Sequence, residues 1–270
     1  MNTRIPICIF VLALVTMLSP FAHAKGILSE NIRIKSTVLG YDLQYRVYLP
    51  DTTKPVDNLP TIYVTDGQSY IQKGHMVRAL DKGIAEGSIK PVIAIFVDAR
   101  DPNHLRNNRR NDQFFCKKDY VDFFTTELVP LIDRTYKTSG LRENRVILGV
   151  SFGGFNAGCF GLMATPYFGG IAMNSPAHSQ FLKYLKRQYD KFEKKNLKIY
   201  LSVGNHSDNR KAVLSLKKTL DKKGYDLNYS QNNHGHNWNN WTPLLPEVLK
   251  TFFASDKNDR PEDVEWEREK

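Results

Sequence analysis

Hydrophobic and polar residues alternate along 32–38 and again along 43–49, with Gly40-Tyr41 between them. A period of two with a turn in the middle predicts an antiparallel hairpin with one dry face and one wet face. Beyond residue 60 the alternation gives way to short runs that are apolar at most positions, at 61–64, 92–97, 145–149, 170–173, 197–203 and 227–230. Strands of that kind are buried on both faces, as in a parallel sheet. Between them lie stretches with apolar residues three and four apart, which predict helices over 70–86, 120–136, 153–163, 181–192, 210–223 and 241–253. Strand and helix in regular succession require crossover connections, and these place helices on both sides of the sheet. The pattern predicts an α/β protein: a three-layer sandwich around a mostly parallel sheet, opened by an antiparallel hairpin.

Both ends depart from this pattern. Residues 1–24 hold Arg4, an apolar run from Ile5 to Leu18 and the small-residue site Ala22-His23-Ala24. The run is shorter than the about 20 apolar residues that a spanning helix needs, so it reads as a signal peptide cleaved after Ala24. That predicts a periplasmic or secreted protein with no stable membrane anchor once the leader is gone. Residues 256–270 have too few apolar side chains to pack and read as a charged, disordered tail. Residues 25–255 then form one domain of ordinary size.

The formal net charge of +10 suits an anionic ligand or surface. The lysines responsible are spread along 183–195 and 211–223, however, and read as solvated helix faces; no nucleic-acid motif accompanies them. Of the two cysteines past the leader, Cys159 falls in the apolar helix 153–163. This favours a buried free thiol over a disulfide with Cys116, although spacing does not choose between them.

The candidate chemistry gathers at predicted strand ends. Gly149-Val150-Ser151-Phe152-Gly153 is a G-x-S-x-G turn between the strand 145–149 and the following helix. Such a turn lifts a serine hydroxyl above the sheet, with a helix N-terminus behind it that favours negative charge. Ser151 is the candidate nucleophile. A neutral hydroxyl attacks poorly and needs a base within hydrogen-bond reach. His236, in Gly235-His236-Asn237-Trp238 after the last strand, is the candidate base. Asp208, after the strand 197–203, is the candidate acid that orients the imidazole, set against the simpler role of capping the helix that starts near Asn209. Serine, aspartate and histidine in that chain order mark the α/β-hydrolases. The backbone N–H groups of Phe152 and of Gln68, in Asp66-Gly67-Gln68, are the candidate oxyanion donors. His234 and His236 have H-x-H spacing, but no third ligand stands at a fitting distance in sequence, so neither a metal nor another cofactor is expected.

These residues, together with 123–132, 166–170 and Asn174-Ser175-Pro176, resemble the esterase family that includes esterase D, enterobactin-type siderophore esterases, feruloyl esterases and the mycolyltransferases. The resemblance runs from 32 to 253. It implies an α/β-hydrolase fold without a separate lid, a Ser151, Asp208 and His236 triad, and cleavage of small-molecule carboxylic esters through an acyl-enzyme. Two positions depart from the family's pattern: Asp208 lies four residues after Gly204 where three is common, and Asn237 stands where an aspartate is frequent. The first departure bears on the acid, since some siderophore esterases work with a serine and histidine pair.

The arginine-rich segment 100–110 follows another strand end, where relatives form part of the substrate cleft. Arg106, Arg109, Arg110 and Trp238 are candidate substrate contacts, the arginines for a carboxylate, phosphate or catecholate. The expected function is an exported serine carboxylic ester hydrolase acting on siderophore or aryl esters. The alternatives are an acyltransferase of the same fold and a non-catalytic binding protein that keeps the fold. Oligomeric state is not legible in the chain.

Overall fold

The structure, a computed structural model, describes residues 25–52 and 56–255; the expected signal peptide (1–24) and tail (256–270) lie outside the described residues. The strands in chain order are β1 (Ile27–Leu28), β2 (Ile32–Lys35), β3 (Asp42–Leu49), β4 (Thr61–Thr65), β5 (Ile93–Asp98), β6 (Arg100–Asp101), β7 (His104–Asn108), β8 (Arg145–Val150), β9 (Gly170–Asn174), β10 (Lys198–Gly204) and β11 (Asp226–Asn232). Nine of them build one sheet in the order β1-β3-β5-β4-β8-β9-β10-β11, with β2 also paired to β3, while β6 and β7 form a separate ribbon. The pairings of β1, β2 and β5 with β3 are antiparallel, and those from β5 through β11 are parallel.

The helices are α1 (Gly67–Gln72), α2 (Met76–Ala85), α3 (Arg110–Gln113), α4 (Lys118–Asp122), α5 (Val129–Thr135), α6 (Phe152–Met163), α7 (Ser179–Lys191), α8 (Arg210–Lys222), α9 (Trp238–Trp241) and α10 (Leu245–Phe253). A π-helical stretch, Phe123–Leu128, joins α4 to α5. One sheet face packs against α4 to α8 through Phe124, Phe160, Leu185 and Leu216. The other packs against α1, α2 and α10 through Tyr70, Leu80, Leu245 and Leu249. This is the expected three-layer sandwich. Covered on both sides, β4, β5, β8 and β9 are buried at every residue, whereas the edge strand β11 mixes exposed and sheltered positions. The continuous runs at 61–64, 92–97, 145–149 and 170–173 correspond to the first situation, whereas 227–230, expected to be buried on both faces, lies in the edge strand β11 and is only partly buried.

Register places the loops that matter. Val150 of β8 lies opposite Asn174 of β9, so residues 151 and 175 leave the sheet side by side. Gly204 of β10 lies opposite Asn232 of β11, which brings the next two loops to the same edge.

Three expectations need correction. The helix expected over 70–86 is two helices, because the chain turns at Gly74-His75, with His75 at φ 51°. A Cβ on Gly74 would sit 2.7 Å from the Trp238 ring, so the break makes room for that indole. The helix expected over 241–253 likewise begins earlier, as α9, and reaches α10 through the 3-10 turn Thr242–Leu244. Finally, Cys116 and Cys159 form a disulfide, with Cα atoms 5.1 Å apart, in place of the favoured free thiol. Cys159 is buried as expected, but the turn after α3 carries Cys116 onto α6. Among the described residues no helix is long and apolar enough to cross a membrane.

Candidate active site

Four parallel strands deliver the site from their carboxyl ends, where an open α/β sheet exposes reactive groups. Ser151 follows β8 directly, at φ 56° and ψ −120°, a conformation rare for a residue with a side chain. The turn is this tight because α6 doubles back over the strand: a Cβ on Gly149 would run into the carbonyl of Gly153. Ser151 is further pinned by its own N–H, which donates to Asn174 O at 2.9 Å, and by its carbonyl, which accepts from Ala177 N–H at 2.9 Å.

The three candidate residues meet. Ser151 Oγ lies 2.7 Å from His236 Nε2, and His236 Nδ1 lies 2.8 Å from Asp208 Oδ1. An ionised carboxylate can only accept, so Nδ1 carries the proton and Nε2 is left as the acceptor for the serine hydroxyl. Asp208 also accepts from Ser175 Oγ at 2.7 Å and from the N–H groups of Gly204 at 2.8 Å and Asn209 at 2.7 Å. Burial by itself would raise this carboxyl; the hydrogen bonds from His236, Ser175 and the two amides outweigh it and hold the group below its ordinary value. Asp208 therefore faces His236 with its charge intact. The extra residue between Gly204 and Asp208 is taken up in the loop, where Ser207 adopts φ 44°. Asp208 does bond the first amide after it, but the same oxygen serves the imidazole, so capping does not describe its role.

A second layer of support was not legible as such in the sequence. Asn240 Nδ2 donates to Ser175 Oγ at 3.1 Å and to Asp208 Oδ2 at 3.3 Å, and Trp241 Nε1 donates to Ser175 Oγ at 2.9 Å. The Trp241 ring also meets the His236 ring edge to face, with centroids 5.0 Å apart. Ser175 lies in the segment Asn174-Ser175-Pro176 and Trp241 opens the helix expected over 241–253, but nothing in their spacing announces that both converge on the acid. Trp238 is half-buried between Tyr70 and Trp241, at ring distances of 5.2 and 5.3 Å, where it braces the histidine loop.

Phe152 opens α6, and Gln68 lies in the first turn of α1, so both backbone amides belong to helix N-termini, where N–H groups lack intrahelical acceptors. Asp66, at φ 56°, turns β4 into α1. Its carboxylate is gripped by Arg110, with Nη2 donating to Oδ2 at 2.9 Å and Nε 2.8 Å from Oδ1. Burial pushes the Asp66 carboxyl up to about 6, against the opposing pull of Arg110. The arginine segment is largely neutralised in this way. Arg109 pairs with Asp101 at 2.5 Å and lies over the Tyr41 ring, Arg100 pairs with Asp98 at 2.7 Å, and Arg106 stands exposed on β7.

An aromatic wall rises beside the serine. Phe115, 47% exposed, packs its ring 4.5 Å from Phe181, 5.8 Å from Phe152 and 5.7 Å from Phe155. The disulfide one residue later ties this exposed ring to α6.

Comparison with known proteins agrees with this architecture. A family model described as "Putative esterase" matches residues 36–252. The protein YjcH of Bacillus subtilis (strain 168) is 27% identical over 245 residues, which cover 86% of this chain and all of that one. A ferulic acid esterase superposes with a TM-score of 0.69 at 18% identity, over 85% of this chain and 99% of its own. The enterobactin esterase of Shigella flexneri superposes with a TM-score of 0.74 at 23% identity over 85% of this chain, which spans 60% of that longer protein. At these identities the superpositions speak for the shared α/β-hydrolase fold.

Proposed function

The chain belongs to the esterase family of carboxylic ester hydrolases, and from that premise we propose that it is an exported serine esterase that works through an acyl-enzyme on aryl or siderophore-type esters. The observation that carries the mechanism is the unbroken relay from Ser151 through His236 to a charged Asp208. His236 Nε2 takes the hydroxyl proton as Ser151 Oγ attacks the ester carbonyl, and Asp208 steadies the resulting imidazolium. The carbonyl oxygen, now negative, is met by the Phe152 and Gln68 amides. Collapse breaks the bond to the alcohol, which leaves with the proton that His236 returns. Water then repeats the sequence on the acyl-enzyme and releases the acid.

Two observations support the finer parts of this reading. A disulfide is at home in an oxidising compartment, which agrees with export. The aromatic wall of Phe115, Phe152 and Phe181 offers ring faces to an aromatic acyl or alcohol group. The test is labelling of the mature chain with a fluorophosphonate probe, followed by peptide mapping. One adduct on Ser151, absent in His236→Ala, is the expected result, and Ser151→Ala abolishes turnover with little change in melting temperature. A folded wild-type protein that takes no label would overturn the catalytic reading in favour of a binding role.

A further inference from the structure

The charge that the sequence assigns to solvated helix faces is not evenly spread over them. A cavity of about 430 Å³ lies between α7 and α8, over their first two turns, with Leu182 and Ala212 as its apolar lining and Lys183, Lys186 and Lys211 among its polar lining. None of the three ammonium groups is in an ion pair among the described residues. Neither helix has an acidic residue in its first turn, and the acidic residues they do carry, Asp190 and Asp221, lie in their last turns. Asp208 backs the cavity, but its side chain is fully shielded from solvent and its oxygens are spent on His236, Ser175 and two backbone amides.

The start of α8 runs against helix stability. The N-terminal end of a helix is positive and favours acidic side chains, yet α8 opens Arg210-Lys211, while Lys183 and Lys186 follow beyond the first turn of α7. Cations gathered around a concave site, with no acidic partner for them among the described residues, fit an anion that comes from outside. The cavity also adjoins the catalytic groups. The segment leading into α7 is bonded to the nucleophile through Ala177 N–H and Ser151 O, and α8 begins two residues after Asp208.

We propose that this pocket is an anion-binding subsite, which holds a carboxylate or phosphate group carried by the ester substrate at a distance from the bond being cleaved. Lysines supply mobile point charges without the paired donors of arginine, so the subsite selects an oxyanion by charge more than by shape. The inference rests on the esterase reading for its use in catalysis, though the pocket itself does not depend on it.

The experiment pairs an equilibrium measurement with a kinetic one. Backbone amide NMR shifts are followed as glutarate, and separately inorganic phosphate, is titrated into wild type and into the triple variant Lys183→Gln, Lys186→Gln, Lys211→Gln. Saturable shifts in the first turns of α7 and α8 in wild type, lost in the variant, are expected, and the two titrations rank carboxylate against phosphate. Turnover is then compared between 4-nitrophenyl butyrate and mono-4-nitrophenyl glutarate, and between phenyl butyrate and 4-carboxyphenyl butyrate, which place the charge on either side of the ester. In at least one pair wild type is expected to prefer the anionic ester about tenfold, through KM, and the preference to vanish in the variant while the neutral ester stays within about twofold. It should also collapse between about 0.05 M and about 0.5 M salt. Absence of anion-dependent shifts at α7 and α8, or equal losses on neutral and anionic esters, would overturn the subsite. If no ester is turned over and Ser151 takes no fluorophosphonate, the esterase reading fails by itself and the titration alone decides the pocket.

Discussion

Asp208→Asn is the substitution that most sharply separates a three-membered relay from a serine and histidine pair. Every neighbour of the carboxylate is a donor. Oδ1 accepts from His236 Nδ1 and Asn209 N–H, and Oδ2 from Gly204 N–H, Asn240 Nδ2 and the Ser175 hydroxyl. Ser175 has no freedom to reverse, because its oxygen already accepts from Trp241 and Asn240. An asparagine brings one acceptor and one amino group to these donors. With the amino group toward Gly204 it opposes three donors that cannot all turn away. With the amino group toward His236 it opposes only Asn209 N–H and the imidazole, and the imidazole can yield by moving its proton to Nε2. The second orientation has the smaller conflict, and it takes from Nε2 the lone pair that must accept the serine proton. The expected loss in kcat is therefore about 10,000-fold, the scale associated with a wrongly set tautomer in such triads. KM should hardly change, since the residue is shielded from substrate. One amide left without an acceptor costs about 1–3 kcal/mol of stability. Steady-state kinetics on 4-nitrophenyl butyrate and thermal melts measure both. A variant that keeps more than about a tenth of wild-type kcat would remove Asp208 from the mechanism and leave the pair.

Two further perturbations follow from the structure. The disulfide closes a loop with a sequence separation of 43, so replacing Cys116 and Cys159 by serine should lower the unfolding free energy by about 4 kcal/mol; a loss under about 1 kcal/mol in chemical denaturation would contradict this. The same variant frees Phe115 from α6, so KM should rise for bulky aryl esters more than for acetyl esters. Asp66 titrates near 3.9 when unfolded and near 6 in the fold. Between those values the folded protein holds a proton that the unfolded chain has lost, so this group's contribution to stability falls as pH rises through the window, by about 3 kcal/mol at most, and is level above it. Asp66→Asn has no such proton, so its stability relative to wild type should improve from pH 4 to pH 6.5 in urea titrations. A constant gap would show that Asp66 titrates normally.

The sandwich and the nucleophile were legible because each rests on local sequence. Double-sided burial writes itself as an unbroken apolar run, as in Val146-Ile147-Leu148, and the serine turn needs glycines within two positions of Ser151. His236 and Asp208 could be nominated because parallel strands bring their loops to one end of the sheet. What held them there could not. Asn240 reads as one of several asparagines in a polar stretch, and its meaning depends on Ser175, which is 65 residues away in the chain. The split between α1 and α2 was hidden for the same reason, since it answers to the indole of Trp238 and not to a breaker strong enough to end the helical spacing.

Charge was the least legible property, because a sequence gives the number of cations and not their availability. The arginines of 100–110 looked available as a cluster, yet Arg100, Arg109 and Arg110 each have a carboxylate, and the one that holds Arg110 is Asp66, brought in by β4 from 44 residues away. The lysines of α7 and α8 looked diluted among helical turns, yet two facing helices collect three of them around one cavity with no acid in either first turn. An arginine with a carboxylate must give up that ion pair before it can hold a ligand's anion, whereas an unpaired lysine gives up only water. The same argument predicts an asymmetry between variants. Arg110→Gln should act chiefly through stability, by leaving Asp66 buried without its partner, whereas Lys211→Gln should act chiefly through KM for anionic esters and leave the melting temperature nearly unchanged.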